Sequence, residues 1–455
     1  MSPYAPGRRE GTPLLRIYAY APGREGDPDF QRLLRRAEAD IAATEEAVRA
    51  ILEDVRLRGD AALLEFTRRF DGVSLPEGRI RADEEEIAAQ AERLRRERPD
   101  VCEAIDTAAA NIRRHHERQL PPPISWGEVV PGVFAGEKVT PIPSVALYVP
   151  RGKGSFPSVL LMLAVPAQVA GVPKIAVFTP PNAEGTLDPA VAYAAEALGI
   201  REVYKVGGAQ AVAAAAFGTE SVPRFPKILG PGNRYVTQAK RLLYGSIDPG
   251  LPAGPSEALV LADAFARPDW VARDLLVEAE HGPESAALLV TPSRKLAEAV
   301  AELLPELVES LPEPRRSFVR DVFATYGGAV LTPDLETAYS FADLYAPEHL
   351  LLHVSDPMAA VFRLRNAGEI LVGPHTTIPL GNFVVGVNAI LPTGGAARWS
   401  SGGSVHDFLK RTSLAYVTPE GERALGPHAV AFADVEGFPA HLEAVRVRLQ
   451  EGNEG

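Results

Sequence analysis

The sequence predicts an α/β protein of two modules with parallel sheets, flanked by an N-terminal helical region and a C-terminal helical tail. Two observations carry this. Strand-like apolar runs alternate with helical segments twice along the chain, and Gly-rich turns follow several of the strands. A length of 455 residues leaves room for about two to four domains of ordinary size.

Residues 1–28 read as a flexible arm. The run APGRREG at Ala5–Gly11 is echoed by APGREG at Ala21–Gly26, copies too short and too rich in Gly and Pro to build a repeat fold. From Asp29 to Gln119 the pattern is helical: Leu33, Ala37 and Ile41, then Val48, Ile51, Leu52 and Val55, recur at helical spacing among charged residues. Leu120–Pro123 ends this region with three successive prolines, which cannot continue a helix.

The texture then changes. Ser144–Pro150 (SVALYVP), Lys174–Thr179, Glu202–Val206 and Lys227–Leu229 read as strands. Between and after them Pro157–Ala170, Pro189–Leu198, Ala209–Phe217 and a segment through Leu243 read as helices. A second alternation follows. Its strands are Ala258–Ala262, Ala286–Thr291, a short one around Val330, and Ile370–Val372; its helices are Pro268–Glu280, Ser293–Val308 and Asp334–Tyr345. Beyond Gly403 the chain reads as a tail with a final amphipathic helix near Pro439–Leu449.

Composition narrows the function classes. A formal net charge of -12 gives no electrostatic footprint for nucleic acid or an anionic membrane. No apolar run is long enough to span a bilayer, and the N-terminus lacks a secretory pattern. Cys102 is the sole cysteine, which excludes an intramolecular disulfide and a Cys-based zinc site and points to a reducing compartment, the cytoplasm.

The turns Arg151-Gly152-Lys153-Gly154-Ser155, Gly207-Gly208-Ala209-Gln210 and Gly230-Pro231-Gly232-Asn233 lie between strand and helix, where backbone can approach a phosphate. None is a G-x-G-x-x-G fingerprint, and each alone reads first as a plain turn and only then as a cofactor loop; three in one module favour a dinucleotide site. Glu278 and His281 are one helical turn apart and suit a metal, though alone the pair reads first as a solvated helix end. Glu436 and His441 form a second acid–imidazole pair on the tail, and His375 and His406 read as surface or core groups. The sharpest pair is Glu348–His349, after Pro347 at a turn or first helical position. An imidazole titrating near neutrality suits removal of a hydroxyl proton, and a carboxylate beside it suits activation of water. An exposed helix start is the plain alternative.

Taken together, these segments resemble histidinol dehydrogenase from roughly Glu45 to the C-terminal helix. The resemblance rests on SVALYVP with GKGSFPSVLLMLAVPAQVAGV, VGGAQAVAAAAFG, ILGPGNRYVTQAKR, LPAGPSEALVLAD, DLLVEAEHGPES, YAPEHLLL, VNAILPTGG and EGFPAHLEAV, all in order. It implies two Rossmann-like modules, a homodimer with exchanged tails, one Zn2+ per subunit, and two successive NAD-dependent oxidations from L-histidinol to L-histidine, a step of histidine biosynthesis. By position it implies that Tyr148, Gln210 and Asn233 contact NAD and Ser256 contacts substrate. His349 becomes the base and Glu348 the activator of water. Glu278, His281, Asn382 and His441 become zinc ligands that also touch substrate, with Glu436 holding substrate and both tail residues supplied across the interface. The domains expected are 29–147 with 255–403 (active site), 148–254 (NAD-binding) and a partner-contacting tail, 404–455.

Three positions depart from the family pattern, which has glutamine at Glu278, aspartate at Asn382 and a substrate-contacting histidine at Ala389. The first two exchange an amide and a carboxylate, so two histidines, one carboxylate and one amide still keep the formal charge of the zinc set. Ala389 removes a hydrogen-bonding partner from the substrate, and a related enzyme for another polar amino, hydroxy or sulfonated alcohol is the alternative reading. A non-catalytic NAD- or metal-binding protein is a third.

Overall fold

The computed structural model describes residues 13–36, 43–151 and 154–451. Thirteen strands lie among them in chain order. They are β1 Ile17–Ala19, β2 Ile124–Val130, β3 Val133–Pro141, β4 Val145–Tyr148, β5 Ile175–Phe178, β6 Glu202–Tyr204 and β7 Ile228–Leu229. There follow β8 Glu257–Ala262, β9 Ala286–Thr291, β10 Gly327–Leu331, β11 His349–His353, β12 Glu369–Val372 and β13 Leu409–Val417.

The smaller parallel sheet has the order β6-β5-β4-β7. Its strands are short apolar runs whose side chains alternate between two cores, as the two-residue period requires. Val145 and Leu147 pack with Leu160, Leu163, Ile105 and Ile112 on one face. Ala146 and Tyr148 pack with Val48, Val55 and Val212 on the other. The N-terminal helices Glu45–Arg58 and Pro99–His116 therefore clothe this sheet, which corrects the expected grouping with 255–403 for these two helices, whereas Phe30 and Leu33 do pack on the large sheet. An amphipathic stripe states that a helix must bury one face but not which sheet will cover it.

The larger sheet is also parallel, in the order β1-β10-β9-β8-β11-β12. Its edge strand β1 overturns the expected flexible arm for residues 13–28. Ile17–Ala19 pair with Ala329–Leu331, Leu14 and Leu15 are buried, and the Tyr20 ring meets Phe30 at 5.1 Å and Phe341 at 4.8 Å. Three residues between Pro- and Gly-rich segments are too short a run to show a period. Residues 1–12 of that arm, with Ala37, Ile41, Gly152 and Lys153, lie outside the described residues.

Two further expectations change. The segment after Pro347 is a central strand rather than a helix start, because Leu350–Leu352 are buried between β8 and β12. The tail is not purely helical either: β13 pairs antiparallel with β3, itself paired with β2, before the helices Pro419–Val435 and Pro439–Glu451. This arm exposes apolar side chains, Trp126 at 57% and Val435 at 80%. Among the described residues no helix is long and apolar enough to cross a membrane.

Strand order reverses between β4 and β7 in the small sheet and between β8 and β11 in the large one. Such switch points open crevices where loops diverge. The small sheet uses its carboxyl edge, with loops after Tyr148 and Leu229, whereas the large sheet uses its amino edge, with residues just before β8, β9 and β11.

Candidate active site

A cleft of about 790 Å³ joins these two edges. It is lined by Tyr148 and Asn233 from the small sheet and by Ser256, Glu278, His281, Glu348, His349, Asn382 and Ala389 from the large domain. Nine sequence-singled positions thus converge. Gln210 is not among the lining residues; it is buried on the helix Gly208–Phe217 with its Oε1 lacking a hydrogen-bond partner. Glu436 and His441 are exposed on the C-terminal arm and do not line the cleft of their own chain.

His349 opens β11, so His349, Leu351 and His353 share one face of the sheet. The helix Pro268–Ala279 covers that face and presents Asp274 and Glu278, four residues apart. Asp274 Oδ2 meets His353 Nε2 at 2.9 Å, and Glu278 Oε1 stands 3.8 Å from His349 Nε2. Glu348 Oε1 lies 3.7 Å from the same Nε2, and Glu348 Oε2 accepts the Glu257 N–H at 2.8 Å. On the other side His349 Nδ1 is 2.7 Å from Glu369 Oε1. Glu278, Glu348 and His349 offer ligand atoms all within 4.8 Å of one another.

The backbone before this cluster is held in place. Ala346 adopts a left-handed conformation (φ 51°), unusual for a residue with a side chain and a mark of local strain near functional groups. The Arg36 guanidinium clamps the turn: it donates to the Tyr345 carbonyl, lies 3.7 Å over the Tyr345 ring and pairs with Glu257 at 3.2 Å. Glu257 in turn accepts the Gly394 N–H at 2.7 Å.

Burial lifts the Glu348 carboxyl well above its usual range; His349 opposes that shift and Glu278 adds to it. For His349 burial disfavours the charge, yet Glu348, the Glu369 hydrogen bond and Glu278 outweigh burial and hold the imidazole above its usual range. Burial likewise raises Glu257, with Arg36 opposing.

Two buried oxygens in this region, Glu278 Oε1 and Asn382 Oδ1, have no hydrogen-bond partner. A buried polar atom without a partner costs free energy, and a cation ligated by either oxygen would remove that cost. His281 Nδ1 is 3.0 Å from the Val277 carbonyl and 3.3 Å from Glu278 Oε2, which sets the imidazole beside that carboxylate. Glu278, His281 and Asn382 therefore fit a metal as a mixed N/O donor set.

At the small sheet Gly230 has φ 127°, and a Cβ there would meet the Tyr148 carbonyl oxygen at 2.1 Å, so this close turn requires glycine. The Tyr148 hydroxyl accepts the Gly208 N–H at 3.0 Å, tying two of the Gly turns together. Lys240 reaches back to donate to the Gly230 carbonyl at 2.5 Å. Burial pushes its ammonium down to about 7, against the pull of Asp248. Between that value and its ordinary one the unfolded chain binds more protons, so folding stability rises with pH from 7 towards 10.5. Lys240→Met is expected to flatten that slope in denaturant titrations at pH 7, 8 and 9; an unchanged slope would assign it to another group.

Arg36, Glu257 and Glu369 escaped the sequence reading. Glu369 is one acid before an apolar triplet, and only its pairing register with His349 reveals it. Nothing in the sequence near Arg36 singles it out.

A family model described as histidinol dehydrogenase matches residues 34–449. The histidinol dehydrogenase of Synechocystis sp. is 48% identical over 419 residues, covering 92% of this chain and 96% of the relative. A protein named histidinol dehydrogenase homolog 2, from Mesorhizobium japonicum, is 49% identical over 414 residues, covering 91% and 93%. The crystal structure of histidinol dehydrogenase from Elizabethkingia anophelis matches with a TM-score of 0.90 at 34% identity, covering 97% of this chain and 99% of that one.

Proposed function

The chain belongs to the histidinol dehydrogenase family, and from that premise we propose that it is a zinc-assisted, NAD-dependent dehydrogenase taking L-histidinol through the aldehyde to L-histidine. The observation that carries this reading is the His349 Nε2 poised between Glu348 and Glu278 in the cleft that joins the two sheets.

Once the imidazolium that the surrounding carboxylates favour has lost its Nε2 proton, His349 Nε2 takes the proton of the substrate hydroxyl. Tyr148, Gln210 and Asn233 would hold NAD at the small-sheet switch point, where it would supply the acceptor for the hydride of the carbinol carbon. The aldehyde then adds water, whose proton passes to Glu348. A buried carboxyl with a raised pKa serves proton transfer near neutrality better than an exposed one. Once His349 has released that first proton to solvent, its Nε2 takes the hydroxyl proton of the hydrate in the second oxidation, for which a second NAD would supply the hydride acceptor, leaving the carboxylic acid. Ser256 and Glu436 hold the substrate.

Zinc, one per subunit, would be held by Glu278, His281, Asn382 and His441 of the partner subunit, and when bound it anchors donor atoms of the substrate without redox chemistry of its own. The exposed apolar arm of β2, β3, β13 and the last two helices supports a homodimer in which Glu436 and His441 cross to the other protomer's cleft. The single, buried Cys102 fits a reducing compartment, and the enzyme is assigned to the cytoplasm.

Purified protein with zinc, NAD and L-histidinol is expected to form L-histidine with two NADH per turnover. Silence under these conditions sinks the histidinol reading. One observation favours a second substrate: Ala389 lines the same cleft as Glu278 and offers no hydrogen-bonding side chain. On this reading the same machinery oxidises another polar amino, hydroxy or sulfonated alcohol, and a panel of such alcohols followed by NADH absorbance identifies it.

A further inference from the structure

Glu369 belongs to none of the roles above, yet its carboxylate is buried beside the base. β11 and β12 run parallel with His349 opposite Glu369, so both side chains project from the same face of the sheet. The side chains are 3% and 8% exposed, and Glu369 Oε1 meets His349 Nδ1 at 2.7 Å. The other oxygen, Oε2, is buried without a hydrogen-bond partner among the described residues. Gly381 leaves the carboxylate its space: a Cβ there would stand 3.3 Å from Glu369 Oε1 and 3.0 Å from Leu371 Cδ2. A carboxylate removed from water needs a charged or hydrogen-bonding partner, and the imidazole is the one it has in this pocket.

We propose that Glu369 is the positioning residue of the base, fixing the proton of His349 on Nδ1 so that the Nε2 lone pair faces the substrate hydroxyl. The inference rests on the reading of His349 as base. An imidazole has two nitrogens, and which one carries the proton is set by the partner of the other. With Nδ1–H donated to Glu369, Nε2 is free to accept the hydroxyl proton as the hydride leaves. The imidazolium so formed keeps its Nδ1–H on the carboxylate, which stabilises the charge where it develops. An amide in place of Glu369 can donate to Nδ1 instead, which puts the ring proton on Nε2 and blocks it as acceptor. A positioning acid of this kind is used in hydrolases that activate a serine; here the same geometry would serve alcohol oxidation.

The experiment compares wild type, Glu369→Gln, Glu369→Asp and His349→Gln in two ways. In kinetics on an alcohol the wild type oxidises, Glu369→Gln is expected to lower kcat by about 10²-fold, the lower range for losing general-base action. Its KM for NAD should stay within about twofold, since the cofactor sits on the other sheet. Glu369→Asp, which retains the charge, should recover part of the lost kcat. A purely structural role would instead move KM or the melting temperature in Gln and Asp variants alike. In proton NMR without substrate, the imidazole–carboxylate contact should give a far-downfield N–H resonance, absent from Glu369→Gln and from His349→Gln. An active wild type with Glu369→Gln retaining its kcat overturns the inference, as does a downfield resonance that survives Glu369→Gln. A wild type inert on every alcohol tested, but with that resonance lost in both variants, sinks the dehydrogenase reading and leaves the contact standing.

Discussion

His349→Ala is expected to lower kcat by about 10³-fold, within the range for loss of a general base, while the KM for NAD barely changes. The reason is the division of the cleft. The imidazole stands on β11 of the large sheet, and the residues assigned to NAD lie on β4, on the loop after β7 and on the helix Gly208–Phe217. Removing the ring also leaves Glu348, Glu278 and Glu369 as three buried carboxylates around a vacated space, so the loss includes their mutual repulsion. Steady-state NADH formation with saturating NAD, alongside NAD titration by fluorescence, separates the two parameters. A variant that keeps wild-type kcat would assign the proton transfer to another group.

Zinc content should respond just as strongly to the carboxylate–amide pair. Glu278→Gln leaves two amides and a histidine from this chain to hold a dication, and affinity is expected to fall by at least about 10- to 100-fold, the loss typical of altered supporting groups around a metal. Asn382→Asp alone adds a further carboxylate to the cleft that already holds Glu278 and Glu348, the latter raised by burial and by Glu278. The double exchange restores one carboxylate and one amide with the negative ligand moved. Metal analysis after dialysis should therefore rank the double variant above either single one. Equal zinc in all four proteins would mean that Glu278 and Asn382 do not share a metal.

The small sheet was legible because each of its strands is a short apolar run ended by glycine or proline, so Val145–Tyr148, Ile175–Phe178 and Glu202–Tyr204 fall where expected. β11 was not. Leu350–Leu352 after Pro347 fit a helix or a strand equally, and burial between two neighbours decided it. β2 is exposed along its whole length and shows no apolar alternation, so only pairing with β3 makes it a strand. Within the site, Glu348, His349, Glu278 and His281 stood out as titratable groups at close spacing. Glu257, Glu369 and Arg36 act through contacts across sequence separations that no local pattern encodes.

The opposed edges of the two sheets have a consequence for how this protein diversifies. On the proposed roles, side chains that choose the electron acceptor sit on turns leaving the small sheet, at Tyr148–Arg151 and Gly230–Arg234, whereas those that choose the alcohol sit on segments entering the large one or after β12. Neither set shares a loop with the other. Substrate preference can drift through Ala389, Asn382 and Glu278 while the cofactor stays the same, and the hydride acceptor can be exchanged without rebuilding the pocket for the alcohol.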